Sequence, residues 1–224
     1  MPNIGFRILP MPARPPRRLV KTLGAMVTAH LSDNMNRMVA GGAALRPMHN
    51  GGKLCGPALT VKVAPGDNLM VHKAIDIAAP GDVIVVDAGG LVTYAIIGDI
   101  MSSLAQKRGV AGMVIYGAIR DAAEIRARRF PVYACGVTHR GPYKNGPGEI
   151  NAPIALDGMV VHPGDIIVGD ADGVVAVPLA HAEEVLALAK AQLVKETAIL
   201  KSIASGKADR RWVDELLKQR GCDF

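Results

Sequence analysis

Residues 80–90 read Pro-Gly-Asp-Val-Ile-Val-Val-Asp-Ala-Gly-Gly, and residues 163–173 repeat the pattern as Pro-Gly-Asp-Ile-Ile-Val-Gly-Asp-Ala-Asp-Gly. Each stretch begins with a turn, continues as a short β-branched run and ends in an acidic, glycine-rich segment. Such runs are typical of strands buried on both faces of a sheet. The copies lie too far apart for a solenoid repeat, so they predict two similar strand entries in one sheet system. We expect Asp82 and Asp165 to cap their turns rather than to act in catalysis.

The rest of the chain alternates helical and strand patterns, which predicts an α/β fold. Predicted helices cover residues from 19 to about 34–36, 95–108, 122–129, 181–205 and 212–220. Predicted strands cover 58–63 and 110–116, and 41–56 has the glycines and prolines of a loop. Asp121 then stands where a strand ends and a helix begins, a usual place for ligands in α/β proteins.

The composition limits the classes of function. Half of the 224 residues are hydrophobic but only 4% are aromatic, so the core is expected to be aliphatic. The net charge is +6, and part of the excess lies at Arg14, Arg17, Arg18 and Lys21. We interpret residues 1–18 as a solvated basic arm, because nucleic-acid-binding folds add stacking aromatic residues. We expect no nucleic-acid partner, a catalytic domain over 19–180 and a C-terminal helical extension over 181–224.

The three cysteines show neither a disulfide framework nor the spacing of a zinc site. The N-terminus has no apolar stretch of signal-peptide length after its arginines, and no apolar run approaches the length of a membrane-spanning helix. The sequence therefore predicts a cytoplasmic protein without a membrane partner.

The strongest chemical pattern is the set Asp99, Arg120 and Asp121. Twenty residues separate Asp99 from Arg120, and a helix plus a strand fill that interval, so both acids can return to one end of the sheet. Two carboxylates with water suit Mg²⁺, and an adjacent arginine suits an anionic substrate. From the residues alone, an exposed ion pair or a helix N-cap remains an equal alternative for Arg120 and Asp121.

Four segments together resemble the RraA-like family. They are Gly98-Asp99, Arg108-Gly-Val-Ala-Gly-Met-Val-Ile-Tyr-Gly-Ala-Ile-Arg-Asp121, residues 146–154 (Gly-Pro-Gly-Glu-Ile-Asn-Ala-Pro-Ile) and residues 161–178. The resemblance covers nearly the whole chain from about Thr28. Within the family, the sequence is most similar to class II pyruvate aldolases that act on 4-hydroxy-4-methyl-2-oxoglutarate and 4-carboxy-4-hydroxy-2-oxoadipate.

The resemblance implies a compact three-layer β/β/α fold with C-terminal helices that pack on a neighbouring subunit. It implies a homotrimer or homohexamer with active sites between subunits, Mg²⁺ or Mn²⁺ as the cofactor, and a small oxo-acid substrate.

The resemblance also implies a role for each site residue. Asp121 would ligate the metal, and Arg120 would bind the pyruvate moiety. Asp99 would hold water bound to the metal, and the backbone at Gly98, Ile100 and Met101 would bind the substrate carboxylate. Glu196 of a neighbouring subunit would reach the metal through water, although Glu183 and Glu184 lie on the same predicted helix.

These roles imply retro-aldol cleavage to pyruvate, with decarboxylation of oxaloacetate at the same site. One alternative is a non-catalytic regulator that binds and inhibits a ribonuclease, as some relatives do. A methyltransferase ranks third, because no glycine-rich nucleotide motif follows a strand.

Overall fold

The computed structural model describes residues 3–224. Its helices are α1 (Arg17–Leu23), α2 (Thr28–Asp33), α3 (Leu69–Ile77), α4 (Asp99–Lys107), α5 (Ala122–Ala127), α6 (Ala182–Ala204) and α7 (Arg211–Gln219). Its strands are β1 (Phe6–Ile8), β2 (Arg46–Pro47), β3 (Leu54–Val63), β4 (Val83–Asp87), β5 (Ala95–Ile97), β6 (Gly112–Ile119), β7 (Val132–Val137), β8 (Gly148–Ile150), β9 (Ile154–Leu156), β10 (Met159–Val161), β11 (Ile166–Gly169) and β12 (Val174–Val177).

The main sheet has the strand order β1-β8-β3-β4-β6-β7-β2. Strands β3, β4, β6 and β7 run parallel, and β5 pairs in parallel with the end of β6. Strand β3 joins two layers, because residues 54–57 pair with β11 whereas residues 58–62 pair with β4. The carboxyl ends of β3, β5 and β6 therefore meet at one edge, where ligands collect in such folds.

The layers enclose an aliphatic core. Helices α3, α4 and α5 cover one face of the parallel strands, through residues such as Ile75, Ala105 and Ile125. Residues of β9, β10, β11 and β12 pack against the opposite face. The outer surface of β11 and β12 is covered in turn by α1, α2 and α6. The predicted α/β fold with β/β/α layers is confirmed, and the two repeated stretches form β4 and β11 as expected.

The prediction of one continuous helix from residue 19 to about 34–36 is wrong. This segment divides into α1 and α2, with Gly24 as the C-cap of α1. The second helix begins at Thr28, whose backbone N–H and hydroxyl donate to the two carboxylate oxygens of Asp170 at 2.8 and 2.7 Å. Because this capping group comes from a distant loop, the local apolar spacing could not indicate the break.

Two boundaries in the middle of the chain also differ from prediction. Residues 95–97 are strand β5, not the first turn of a helix, and these three residues are almost fully buried beside β6. Strand β6 continues to Ile119, three residues beyond the predicted end. Both differences bring Gly98 and Arg120 to the same sheet edge, where the backbone N–H of Arg120 donates to the carbonyl of Ile97 at 3.0 Å.

The basic N-terminal arm is attached to the domain and not simply solvated, and its first two residues lie outside the described range. Strand β1 pairs with β8. The Arg14 guanidinium makes two hydrogen bonds to Asp82, at 2.7 and 2.8 Å. Asp82 also accepts from the backbone N–H of Ala79, and Asp165 accepts from that of His162, so the predicted turn-capping roles are confirmed.

The C-terminal helices form close to their predicted positions. Helix α6 is 23 residues long, and only its first half contributes to the core. Beyond it the apolar side chains of Val194, Leu200 and Trp212 are exposed. Within residues 3–224, every helix is too short or too polar to cross a membrane.

Candidate active site

A cavity of about 160 Å³ opens at the carboxyl ends of β3, β5 and β6. Its wall comes from the segments that follow these strands and from the loop before β8. It is lined by Asn68, His72, Ile96, Ile97, Gly98, Ile100, Met101, Arg120, Asp121, Pro142 and Lys144. Five of the seven residues predicted for the site thus line one hollow, and Asp99 lies next to them in the chain.

The two predicted acids are in contact. The backbone N–H of Asp99 donates to Oδ2 of Asp121 at 2.9 Å. Nε of Arg120 lies 3.7 Å from the same oxygen, a distance too long for a hydrogen bond. The guanidinium and the carboxylate are each about two-fifths exposed, so both remain accessible to a ligand.

Gly98 makes this close approach possible. A Cβ at position 98 would collide with Oδ2 of Asp121 and would lie 2.9 Å from Cγ of Arg120. The glycine is therefore required by space and not by its backbone angles, since its φ of −146° is open to any residue. A side chain here would push Arg120 and Asp121 away from α4.

Asp121 adopts the left-handed backbone conformation, with φ 55° and ψ 44°. It stands before the first residue of α5, but its side chain makes no capping hydrogen bond to that helix. Among non-glycine residues, Asp and Asn tolerate this conformation best. The backbone turns the carboxylate away from its own helix and toward α4.

The first turn of α4 offers free donors to the cavity. The backbone N–H groups of Ile100 and Met101 have no carbonyl partner within the helix, as is usual at a helix N-terminus. The neighbouring N–H groups already have partners: that of Ser102 donates to the carbonyl of Gly98, and that of Asp99 donates to the carboxylate of Asp121. Such a helix terminus favours anionic groups. The Ile100 side chain is 78% exposed at the entrance, whereas that of Met101 is buried.

Arg128 was not predicted from the sequence, yet it contacts Asp99. Its Nη2 lies 2.6 Å from Oδ1 of Asp99. This short ion pair occupies the buried Oδ1, whereas Oδ2 of Asp99 has no protein partner among the described residues. Arg128 also donates to the hydroxyl of Ser103 on α4. The guanidinium therefore joins the end of α5 to the first turns of α4.

Asn68 was also missed. It is 2% exposed, and its side-chain N–H donates to the carbonyl of Ile96 at 2.9 Å. Its Oδ1 is buried without a hydrogen-bond partner among the described residues. An unused acceptor on a cavity wall is a candidate contact for a substrate hydroxyl.

Lys144 lines the cavity together with residues of the first turn of α4. Its loop is fixed by Asp67, whose Oδ2 accepts from the backbone N–H groups of Asn145 and Gly146 at 2.5 and 3.1 Å. Burial lowers the pKa of His72, and the charge of Lys144 lowers it further, while Asp76 opposes both. The cavity lining therefore includes the amine of Lys144 and a histidine that favours its neutral form.

Glu196 is not brought to the cavity of its own chain. It lies on α6, where Oε2 is 2.6 Å from Nε2 of His30 and Oε1 accepts from Gln192 at 3.0 Å. These contacts, that of His30 first, hold the pKa of Glu196 below its usual value. Any role of Glu196 at a site of this kind would have to be in another subunit.

A comparison with protein families gives a match to the Aldolase/RraA model over residues 28–176. The chain belongs to the RraA-like family. The match begins at α2 and ends in β12, so it includes every strand that positions the cavity.

Three relatives illustrate the range of this RraA-like family. A Halalkalibacterium halodurans protein named "Putative 4-hydroxy-4-methyl-2-oxoglutarate aldolase" is 40% identical over 191 residues, which are 85% of this chain and 91% of that protein. An uncharacterized Pseudomonas syringae protein superposes with a TM-score of 0.76 at 28% identity, covering 87% of this chain and 96% of that one. Streptomyces coelicolor RraAS2, described as an unusual member of the RNase ES inhibitor RraA family, has a TM-score of 0.74 at 28% identity, over 83% and 96%.

Proposed function

We propose that this protein is a divalent-metal-dependent class II pyruvate aldolase. It cleaves a 4-hydroxy-2-oxo acid, either 4-hydroxy-4-methyl-2-oxoglutarate or 4-carboxy-4-hydroxy-2-oxoadipate, and it decarboxylates oxaloacetate. The observation that carries the proposal is the convergence of Asp99, Arg120 and Asp121 beside the free N-terminus of α4. The name of the Halalkalibacterium relative supports a lyase, and three free cysteines suit a reducing cytoplasm.

The donor set fits magnesium or manganese better than zinc. Among the described residues, no group of three or more His, Cys, Asp and Glu side chains could hold an ion together. Mg²⁺ needs only one or two carboxylates and keeps several waters. Among the described residues, Oδ1 of Asp121 and Oδ2 of Asp99 have no hydrogen-bond or ion-pair partner. In our proposal Asp121 ligates the ion and Asp99 contacts it through water.

A bound divalent cation supplies Lewis-acid stabilisation for the negative charge that develops on the 2-oxo oxygen. Arg120 binds the pyruvate fragment, because a planar guanidinium can meet a carboxylate and an adjacent oxygen with paired hydrogen bonds. The backbone N–H groups of Ile100 and Met101 bind the C1 carboxylate at the helix N-terminus. Arg120 and the two N–H groups therefore bind the fragment that carries the negative charge of the enolate after cleavage.

Asp99 takes part in the proton transfer. The C4 hydroxyl loses its proton through a bridging water to the carboxylate of Asp99, which Arg128 holds in place. The C3–C4 bond then breaks, C4 becomes a carbonyl, and the electron pair forms the enolate of pyruvate. The proton taken up by Asp99 is then returned to C3, which gives pyruvate. Oxaloacetate loses carbon dioxide from the same C3–C4 bond and leaves the same enolate, so one site performs both reactions.

We expect the part of the cavity near Lys144 to bind a second carboxylate of the substrate. In a 4-hydroxy-2-oxo diacid, that group is at the end away from the pyruvate fragment. Lys144 lines the cavity from a loop that Asp67 fixes, and an ammonium group is a suitable partner for a carboxylate.

The proposal includes a homotrimer or homohexamer in which residues 181–224 pack on a neighbouring subunit and supply Glu196 to its site. Exposed apolar residues along α6 and α7, among them Val194, Leu200 and Trp212, support such an interface. The test is to mix Asp121→Asn and Glu196→Gln subunits. Activity should return in mixed assemblies, because some interfaces regain one intact site; inactive mixed assemblies would exclude supply in trans.

The function itself is tested by adding oxaloacetate or 4-hydroxy-4-methyl-2-oxoglutarate to the purified protein and measuring pyruvate. Turnover should require Mg²⁺ or Mn²⁺, stop with EDTA and return when the metal is restored. Absence of pyruvate with both substrates and both metals would overturn the proposal.

A second candidate is a non-catalytic regulator that binds a ribonuclease, favoured by the similarity to Streptomyces coelicolor RraAS2. It predicts that the protein lowers the RNA cleavage rate of an RNase E-type enzyme and that Asp121→Asn leaves this inhibition unchanged. Pyruvate release without such inhibition would exclude it.

A further inference from the structure

A second cavity, of about 770 Å³, opens at the opposite edge of the sheet. Its wall is formed by the N-terminal arm, α1, the start of β3 and the turn that enters β4. It shares no residue with the candidate active site. We call it the arm cavity, and its charged lining residues are Arg14, Arg17, Lys21, Lys53 and Asp82.

The arm cavity has uncompensated positive charge. Asp82, the only acid that lines it, is fully buried. Its carboxylate accepts hydrogen bonds from Arg14 and from the backbone N–H of Ala79. Arg17 and Lys21 make no ion pair with any of the described residues, and Lys53 makes only two long contacts of 3.4 Å to backbone carbonyls. Three cations therefore face one hollow, and concave low-dielectric walls strengthen their attraction for anions.

The inner wall between these cations is apolar. It includes Val20, Pro57 and Pro80, together with the half-buried thiol of Cys55, which donates to the carbonyl of Val20 at 3.1 Å. Burial raises the pKa of Cys55 to about 12, so this wall adds no negative charge near neutral pH. The volume falls within the range of about 300–1,000 Å³ that is usual for small-molecule sites.

The arm is fixed over the cavity and does not move freely in solvent. Arg14 is anchored to a fully buried carboxylate, and Pro15 next to it is also buried. The positions of Arg17 and Lys21, one turn apart on α1, follow from this anchor. The basic cluster of the N-terminal sequence is thus ordered around a hollow with room for a ligand.

We propose that the arm cavity binds a small organic polyanion, with two or more phosphate groups at Arg17, Lys21 and Lys53 and an apolar or aromatic body against the inner wall. This site is separate from the aldolase site and does not depend on the proposed reaction. Phosphates suit the cations, since arginine and lysine both bind them well.

The test uses the full-length protein in EDTA at low ionic strength, with ATP, inorganic pyrophosphate and adenosine as probes in calorimetric titrations. ATP should bind saturably with one site per chain. Pyrophosphate should bind at least about tenfold more weakly because it cannot use the apolar wall, and adenosine should not bind measurably.

The variant Arg17→Gln/Lys21→Gln should weaken ATP binding at least about tenfold, because two of the phosphate contacts are lost. Both side chains are exposed and unpaired, so the melting temperature should not change. The matched control is Arg18→Gln/Lys190→Gln, which removes the same charge from a different cavity beside α6. It should leave ATP affinity nearly unchanged, as should Arg120→Lys.

Four results would overturn the proposal. The first is the absence of saturable ATP binding. The second is an equal loss of ATP affinity in the control pair, which would mean a general charge effect. Loss of binding in Arg120→Lys would assign the ATP to the aldolase site. The fourth is that the parent protein does not bind ATP while Arg17→Gln/Lys21→Gln changes the oligomeric state. The arm cavity would then be a contact between subunits.

Discussion

The backbone N–H of Asp99 donates a hydrogen bond to Oδ2 of Asp121 across the gap between α4 and the end of β6. One carboxylate oxygen is thereby fixed, while the other is left without a protein partner in the described residues. This contact links the two acids of the candidate site.

Replacing Asp121 with Asn tests the metal ligand. Asn keeps the shape and tolerates the left-handed backbone at φ 55°, so the fold should be retained. We expect the rate of pyruvate release to fall about 1,000-fold, because a neutral amide is a poor ligand for a hard cation. Steady-state kinetics with oxaloacetate and a melting curve measure the two effects. A variant with the parent rate would remove Asp121 from the site.

Replacing Arg120 with Lys tests the recognition of the pyruvate fragment. The charge remains, but an ammonium cannot make the paired hydrogen bonds of a guanidinium, so kcat/KM should fall about 10- to 100-fold. The control is Arg126→Lys on α5, an exposed arginine away from the cavity. Equal kinetics of Arg120→Lys and the parent protein would contradict the assigned role.

The substitution Gly98→Ala tests the packing at the base of the site. The new methyl group would collide with Asp121 and press on Arg120, and a displacement of about 1 Å can cost about 100-fold in rate. We expect that loss in kcat with only a modest change in melting temperature. Gly136→Ala in β7 is a suitable control, since its new Cβ would meet only the side chain of Val92. Full activity of Gly98→Ala would show that the contact is not needed.

Arg128→Gln tests the ion pair to Asp99. Loss of the guanidinium should free the carboxylate to rotate and should lower kcat about 10- to 100-fold, with KM less affected. Arg126→Gln, two residues earlier in α5, is the matched control. If kcat is unchanged while the melting temperature falls, Arg128 serves the fold alone.

The cysteines should differ in reactivity. The pKa of Cys55 is raised by burial to about 12, so little of its thiolate exists at pH 8. Iodoacetamide should therefore modify Cys55 at least about 100-fold more slowly than exposed Cys222, and the rate should rise as the pH approaches 12. Peptide mass spectrometry over time measures both rates. Similar rates at pH 8 would mean that the thiol of Cys55 is open to solvent.

Local sequence patterns were sufficient for part of this structure. The buried β-branched runs predicted β4 and β11 because strands covered on both faces need little other information. The grouping of Asp99 with Arg120 and Asp121 also followed, because a helix and a strand of ordinary length fill the interval between them. Chemical identity and spacing together were enough to find the edge of the sheet.

Other features depend on partners far away in the chain. Strand β5 has three residues, too few for a periodic signal beside the longer helix that follows. The break between α1 and α2 depends on Asp170, and the orientation of Asp99 depends on Arg128. The sequence contains these residues, but no local rule indicates which of them will meet.

The pairing of β1 with β8 has a consequence for the order of folding. Arg7 and Glu149, which bond across these strands, are 142 residues apart in the chain. During synthesis, the first strand has no partner until the eighth has left the ribosome. Contacts of such long sequence separation form slowly, so this edge of the sheet should be completed late, after the parallel strands have assembled.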